Sequence, residues 1–332
     1  MNTNLLIANN YINSIKSEKY FYDVSIFIPI FNSEKSLEEL ICRLENVMQK
    51  TDKSYEYVLL DDGSEDNSWQ VLCNLNLKYS NLCAIRHLKN QGYNKALQNG
   101  LEFCRGEWVI TIDDDLQHPP EEIKKFIEVM KLDNIDVVFG SYKKRAHRRW
   151  KKIGSNFYFF LIRSIFKIPK NLDITSFRMI HRRVINQLKN NDVAEPQAGL
   201  MILKSSNRII NIEVEHHKRK YGESGIKISK MIRLTIDLLI YHTTFPLKLI
   251  TGIGFSCFSF SIILTFFYIS QYFLQSISIN GFTTIVLLIL NFGGLTLFTI
   301  GILGYYVFKI LKEITHSKYF SLGNFLPPSD TK

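Results

Sequence analysis

Between Lys248 and Lys309 the chain has no Asp, Glu, Lys, Arg or His across sixty residues. A soluble domain does not leave so long a stretch uncharged, so a wholly soluble protein is excluded. From Val137 to Leu172 acidic residues are missing, while ten Lys or Arg occur, seven of them within 143–152. The five cysteines (Cys42, Cys73, Cys83, Cys104, Cys257) show no paired spacing. That argues against a disulfide framework or a zinc site and fits the reduced thiols of a cytosolic domain. No Gly-x-Gly-x-x-Gly follows the first predicted strand, which disfavours a dinucleotide-dependent dehydrogenase. Repeats and low-complexity tracts are absent, and 13% aromatic content excludes disorder. No signal peptide opens the chain; residues 1–22 are polar and mixed, and read as a loose extension or a short helix.

The charge that is present lies almost wholly in the first ~245 of 332 residues, enough chain for one sizeable core. Net charge is +10, compatible with nucleic acid, anionic lipid or phosphorylated substrates. Residues 22–142 alternate short apolar runs with amphipathic stretches. Strands are predicted at 25–30, 57–60, 82–87, 108–112 and 136–140. Helices are predicted at 33–50, 67–79 and 92–104, with another opened by Pro119-Pro120. Such alternation predicts an α/β fold, a mostly parallel sheet with helices on both faces. Ligands of such sheets sit beyond the carboxyl ends of the strands.

The basic run 143–152 feeds an aromatic-rich stretch, 157–168, whose composition suits a helix lying on an anionic membrane surface. Two apolar spans follow at about 247–274 and 282–308, each longer than the ~20 residues needed to cross a bilayer. The short uncharged loop 275–281 between them implies a helical hairpin. Lys248, Lys309, Lys312 and Lys318 flank its other ends, which by the positive-inside rule puts the N-terminal domain and the tail in the cytoplasm. The expected organisation is therefore an extension (1–22), a cytoplasmic domain (23–245) with juxtamembrane helices near 153–168 and 226–245, two transmembrane helices within 246–310 and a cytoplasmic tail (311–332). The expected location is the cytoplasmic membrane.

Two acidic clusters stand at predicted strand ends. Asp61-Asp62-Gly63-Ser64 alone is a turn signal, but a carboxylate there can also accept hydrogen bonds from a base or ribose. Asp113-Asp114-Asp115-Leu116-Gln117 says more, because adjacent carboxylates repel unless a cation offsets them. On an extended backbone Asp113 and Asp115 would point to the same side, and Gln117 adds a neutral oxygen. Hard oxygen ligands completed by water and phosphate oxygens suit Mg²⁺ or Mn²⁺.

Residues 25–32 (SIFIPIFN), 57–64 (YVLLDDGS), 90–96 and 113–120 (DDDLQHPP) together resemble family 2 glycosyltransferases of GT-A fold. The Asp-x-Asp-Leu-Gln form is similar to the polyprenyl-phosphate glycosyltransferase branch, to which dolichyl-phosphate mannose synthase belongs. The likeness continues through 173–178 (DITSFR), 217–224 (HKRKYGES), 245–247 and 301–304, so it spans about 24–315. The resemblance implies an inverting transfer of one sugar from a nucleotide-sugar to a polyprenyl phosphate at the bilayer, with Mg²⁺ or Mn²⁺. It implies donor contacts at Pro29, Phe31, Ser33, Asp61, Asp62, Asp113 and Asp114, and a metal site of Asp113, Asp115 and Gln117. Arg178, Arg219, Ser224, Lys151 and Lys152 would meet donor or acceptor phosphate, with Asp113, Asp115, Gln117 and Arg178 carrying catalysis. Family members usually have Tyr at the place of Phe31, Glu at Ser33, Arg at Tyr142, Lys at Gly225 and Glu at Tyr305.

Other readings are weaker. A processive polysaccharide synthase would have more spans and a Gln-x-x-Arg-Trp element, whose context Arg149-Trp150 lacks. A non-catalytic nucleotide-binding scaffold has no use for an intact acidic cluster. Nucleic-acid binding through 143–152 is disfavoured by the adjoining spans and missing motifs. A homo-oligomer is compatible with the sequence.

Overall fold

The computed structural model describes residues 20–142, 172–190, 205–217 and 322–329, with scattered positions elsewhere. The chain divides into two compact units. The first comprises Met1–Ile153, Phe166–Gly225 and Lys318–Lys332, and the second Gly154–Ile165 and Ile226–Ser317.

The first unit is built on one mixed sheet of eight strands: β1 (Tyr22–Ile30), β2 (Tyr55–Asp61), β3 (Leu82–His87), β4 (Gly106–Thr111), β5 (Val137–Tyr142), β6 (Arg178–His181), β7 (Ile209–Val214) and β8 (Leu322–Leu326). Their spatial order is β7-β5-β6-β4-β1-β2-β3-β8. The helices are α1 (Leu37–Met48), α2 (Ser68–Lys78), α3 (Tyr93–Leu101), α4 (Ile123–Val129) and α5 (Arg182–Asn190), and a 3₁₀ turn, Pro120–Glu122, precedes α4.

Central β1 is buried from Val24 to Ile30 without interruption, as expected of a strand covered on both faces. Its side chains alternate between two cores. Ile26, Ile28 and Ile30 join Leu59, Leu40, Leu44 and Leu72 on one side, under α1 and α2. Phe27 joins Val58, Leu60, Leu97, Phe103 and Val109 on the other, with α3 and α5. Helix α1 packs through Leu37, Leu40, Ile41, Leu44 and Met48, a spacing that lines one helical face. Sequence and structure thus agree on helices covering both faces of an α/β sheet.

Two strands run against expectation. β6 lies antiparallel between β4 and β5, and β8 lies antiparallel on the outer edge of β3. The remaining four pairings are parallel. Because β6 runs antiparallel to both of its neighbours, β5 and β7 run the same way as β1 to β4. The carboxyl ends of all six therefore share one end of the sheet, where β6 and β8 begin. Tyr142 and Arg178 both lie at that end, and so do Val214 and Leu322.

Of the two expectations for residues 1–22, a loose extension or a short helix, the described positions fit the short helix. The described positions between 7 and 12 are helical, and Ala8 and Tyr11 are buried. Tyr11 packs on Phe325 of β8 with ring centroids 5.3 Å apart. Beneath it, at the amino end of the sheet, Glu56 is fully buried. Its carboxylate accepts from Ser25 Oγ at 2.6 Å, from Arg105 Nε at 2.9 Å and from the Arg105 backbone N–H. The Arg105 guanidinium lies over the rings of Tyr22 and Tyr11, 4.8 and 5.1 Å from their centroids. Burial pushes the Glu56 carboxyl up, and Arg105 and Ser25 oppose that.

Of the expected transmembrane hairpin, only scattered helical positions fall within the described residues, and among these no helix is long and apolar enough to cross a membrane. The described positions Ile285, Ile289, Ile300, Leu303 and Val307 of the second unit are each more than half exposed. The juxtamembrane helices near 153–168 and 226–245 lie outside the described residues.

Arg105→Ala should destabilise the first unit by about 3–5 kcal/mol, because it leaves the Glu56 carboxylate buried without its partner. Replacing both residues with leucine should recover most of that loss. Thermal unfolding of the three proteins checks the pair.

Candidate active site

β1 lies between β2 and β4, and the strand order reverses there, with β2 and β3 following on one side and β4 on the other. This is the point in an open α/β sheet where a crevice forms at the carboxyl ends. Register brings the acidic turns there, with Ile30 opposite Asp61 across β1–β2 and Phe27 opposite Thr111 across β1–β4. The two exits are stitched together. Asn32 N donates to Ser64 Oγ at 2.9 Å, Ser33 N to Ser68 Oγ at 2.8 Å and Glu65 N to Asn32 Oδ1 at 2.9 Å. Two non-glycine residues hold left-handed backbone here, Asn32 at φ 54° and Leu116 at φ 58°. Asparagine tolerates that region, whereas leucine is strained in it by on the order of 1 kcal/mol. Leu116 is also buried, so packing holds the strain between Asp115 and Gln117.

The three aspartates do not sit on an extended backbone. The chain leaves β4 and turns at Asp114-Asp115, so the expectation that alternation alone would align Asp113 with Asp115 fails. Each carboxylate has its own environment. Asp113 Oδ2 accepts from Ser176 Oγ at 2.5 Å and lies 3.5 Å from His118 Nε2. Burial works to raise the Asp113 carboxyl, but His118, Ser176 and Arg178 outweigh it and hold it below the usual range. Asp114 turns toward β1, where Oδ2 accepts from Phe31 N at 3.1 Å and from Ser33 Oγ. Burial, with the charges of Asp113 and Asp115, pushes Asp114 up to about 6. Asp115 Oδ1 accepts from Gln117 N at 3.0 Å. Gln117 is held in turn by His217, whose N–H donates to Gln117 O at 2.8 Å, while Gln117 Nε2 donates to His217 O at 3.4 Å.

Arg178 opens β6 opposite Thr111 and Phe139. It is 3% exposed, and its Nε has no hydrogen-bond partner among the described residues. Burial pushes its guanidinium down, and Tyr93 and Asp113 oppose this. A buried guanidinium whose Nε has no partner among the described residues, near Asp113, suits a bound anion.

On the other side of β1, Asp61 is fully buried and accepts from Ser64 N at 2.9 Å through Oδ1. Its Oδ2 lies 3.1 Å from Arg86 Nε but makes no well-aligned hydrogen bond, and burial pushes this carboxyl up. Asp62, expected to contact the donor, is turned inward. Its Oδ1 accepts from Gln91 N at 2.9 Å and lies 2.7 Å from His87 Nδ1, and its Oδ2 accepts from Gly92 N at 2.7 Å. Pro29, expected to line the nucleotide, is buried within β1 opposite Leu60, because the strand is covered on both faces. Phe31, just past the strand end, is 45% exposed. Lys151, Lys152, Arg219 and Ser224 lie outside the described residues.

Residues not singled out from the sequence complete the site. His118 stacks on Tyr142 and Phe177, with centroids 5.6 and 5.2 Å apart, and meets His216 edge-on at 5.4 Å. Ser176 and Tyr93 flank Asp113. Their nearness to the Asp-x-Asp-Leu-Gln run in sequence (His118) or to Arg178 (Ser176) was the available signal; Tyr93 had none.

The crowding around Asp114 has a signed consequence. Its folded value lies above the ordinary carboxylate value, so the folded state gains stability from the protonated form, and that gain is lost as pH rises toward about 6. Asp114→Asn should therefore raise the melting temperature at pH 8, with the gap to wild type closing as pH falls from about 6 to 4. Melting curves in metal-free buffer check this.

Residues 25–189 match the family Glycosyl transferase family 2. The chain is 33% identical over 250 residues to undecaprenyl-phosphate 4-deoxy-4-formamido-L-arabinose transferase of Pseudomonas fluorescens, covering 73% of this chain and 71% of that one. It is 27% identical over 290 residues to YkcC, an uncharacterized glycosyltransferase of Bacillus subtilis, covering 87% and 90%. In fold it is similar to glucosyl-3-phosphoglycerate synthase of Mycobacterium tuberculosis, solved with Mn²⁺, UDP-glucose and phosphoglyceric acid. That match has a TM-score of 0.50 at 16% identity, over 70% of this chain and 82% of the other. With the acidic crevice at the strand ends and a matching GT-A-like sheet, this chain belongs to glycosyl transferase family 2 and is a glycosyltransferase.

Proposed function

We propose that this enzyme is a membrane-bound inverting glycosyltransferase that moves a single sugar from a UDP- or GDP-sugar to a polyprenyl phosphate such as undecaprenyl phosphate. The observation that carries the reading is the run of Asp113, Asp115 and Gln117 at the end of β4, with the buried Arg178 opposite Thr111 and close enough to feel the Asp113 charge, its Nε without a hydrogen-bond partner among the described residues. The undecaprenyl-phosphate transferases among its relatives supply the acceptor class.

A divalent ion fits these residues as a shared ligand. Among the described residues no group of three or more His, Cys, Asp or Glu side chains is placed to hold a metal alone. Mg²⁺ is commonly held by one or two carboxylates and completed by substrate phosphates. Burial, and after it the charges of Asp113 and Asp115, raises Asp114, and a cation would relieve the repulsion between these carboxylates. Asp115 and Gln117 would hold it, with Asp113 alongside. A bound Mg²⁺ or Mn²⁺ supplies charge stabilisation for the departing nucleoside diphosphate.

The protein's own groups do the rest. Arg178 faces the same developing charge from a dry position, where an ionic hydrogen bond gains strength. Asp61, beside Arg86 and exposed Phe31, lies where the base or ribose would be held. Asp113 is kept ionised by Ser176 and His118. Attack from the face opposite the leaving diphosphate inverts the anomeric carbon. A phosphate monoester has a second pKa of about 6, so its attacking oxygen is already mostly deprotonated at pH 7 and no carboxylate is needed as a base.

Chain path supports the membrane reading. In sequence the basic stretch 143–152 follows directly on the carboxyl end of β5, and the uncharged segment 249–308 lies between the carboxyl end of β7 and the start of β8, which share that end of the sheet. β8 pairs with β3 after that excursion, so both lie on one side of any membrane crossed between them. The number of crossings is then even, in keeping with a two-span hairpin and a cytoplasmic catalytic unit and tail.

The assay is direct. Purified protein, undecaprenyl phosphate and a panel of UDP- and GDP-sugars with Mg²⁺ should give one lipid-linked sugar, identified by mass. Asp115→Ala and Gln117→Ala should reduce turnover by about 10²-fold or more, and excess EDTA should abolish it. Product at an undiminished rate in EDTA contradicts the proposed metal role. For topology, Ser278→Cys in a background lacking the native cysteines should react with an impermeant thiol reagent in intact cells, while Leu77→Cys, at an 87% exposed position of α2, should not. The reverse pattern inverts the orientation.

A further inference from the structure

Behind the crevice lies a buried polar chain that the transfer reaction does not use. Asp62, His87 and Asn99 are 4%, 1% and 5% exposed. His87 Nδ1 lies 2.7 Å from Asp62 Oδ1, and His87 Nε2 lies 3.0 Å from Asn99 Nδ2. Both contacts are satisfied together when Nδ1 carries the proton and Nε2 accepts. Asp62 then spends its remaining capacity on backbone, accepting from Gln91 N at 2.9 Å and Gly92 N at 2.7 Å.

These contacts grip the turn between β3 and α3 at two points. Asp62 holds Gly92, the residue before the helix, and His87 holds Asn99 within it. Gly92 has φ 87°, a left-handed conformation that a side chain would resist. A third constraint comes from Gly63, at φ 71°, where an added Cβ would lie 2.7 Å from Asn90 N and 2.8 Å from Lys89 C. The turn is thus pressed against the end of β2 and leaves little choice for where α3 starts. The residue at that start is Tyr93, which adjoins Asp113. Burial, and after it the Asp113 charge, pushes the Tyr93 phenol above its ordinary value.

We infer that Asp62, His87 and Asn99 form a positioning relay that sets the 88–92 turn and through it holds the Tyr93 hydroxyl at Asp113, where the donor diphosphate binds. Asp62 on this view is a positioning residue and not a donor contact. The relay works beside the Gly63 contact and the hydrogen bond from Gly92 N to Asn90 Oδ1 at 2.9 Å, and it ties the turn and α3 to the buried side chains of β2 and β3 through Asp62 and His87. The binding part of this inference rests on the proposed donor class, whereas the turn-setting part does not.

The two amide isosteres of histidine separate the arms. In His87→Asn the side-chain amide overlays Nδ1 and can still donate to Asp62. In His87→Gln it overlays Nε2 and can still meet Asn99, but Asp62 loses its donor. The first measurement is hydrogen exchange on the full-length protein without ligand. The Gln91 and Gly92 amides should exchange about tenfold faster in His87→Gln, the equivalent of one weakened buried hydrogen bond, and near the wild-type rate in His87→Asn. The second is the Kd of UDP, and separately GDP, with Mg²⁺. For the tighter nucleotide, His87→Gln and Tyr93→Phe should each weaken binding by about tenfold. Their double variant should weaken it no further, because both act through one hydroxyl.

Equal exchange rates for the turn in all variants, or equal damage from both isosteres, would overturn the relay. Additive losses in the double variant would overturn the route through Tyr93. If the wild type binds neither nucleotide, the donor assignment fails, while the exchange arm still decides whether the relay sets the turn.

Discussion

Every carboxylate of the crevice is placed by one ladder, β1 hydrogen-bonded in parallel to β2 on one side and to β4 on the other. Parallel register is unforgiving: a slip of one residue would turn each buried side chain to the opposite face. The alternation of Ile26, Ile28 and Ile30 against Phe27 fixes that register by burial on both faces, and at the amino end Glu56 ties Ser25 to Arg105 across the same three strands. The exits of β1, β2 and β4 follow from this, so the core and a buried ion pair well away from the crevice determine where Asp61 and Asp113 emerge.

The crevice itself is costly to build. Three adjacent carboxylates, a buried arginine whose Nε lacks a partner among the described residues and a left-handed leucine all oppose folding on their own. What distinguishes the aspartates is their neighbours. Asp113 is held charged by His118 and Ser176, whereas Asp114 rises to about 6 because its hydrogen bonds from Ser33 and Phe31 do not make up for burial and two negative neighbours. Equivalent residues in sequence thus divide into unlike electrostatic roles, a division usual where binding energy from a substrate compensates local destabilisation.

Strong apolar periodicity made the first five strands and three of the helices legible in the sequence, the Pro119-Pro120 pair marked the start of a fourth, and Leu82–His87 was read to the residue. It also pointed to the acidic clusters, since each lies where a strand ends. Three strands escaped it. β6 is four residues long, and neither β7 nor β8 is a buried run, since only Val214 of β7 and Leu322 and Phe325 of β8 are buried. Their pairing comes from the sheet already present and not from local preference. Asp62 misled for a related reason. In sequence it equals Asp61, and only the fold shows that the chain beyond β3 comes back to occupy it. The basic and membrane-directed residues rest on composition, which speaks of environment and not of contacts.

The edge strand β8 carries a consequence for synthesis. β3 spans Leu82–His87 and its partner spans Leu322–Leu326, so the two are joined across nearly the whole length of the chain. As the polypeptide emerges, β3 has to wait with one edge unpaired until the long uncharged segment has been made and settled. An open edge of that kind is prone to pairing with other chains, and contacts so distant in sequence form slowly. The catalytic unit therefore reaches its finished state only after the rest of the chain has left the ribosome, and a protein cut short before residue 322 would carry every residue of the crevice on a sheet still missing its last strand.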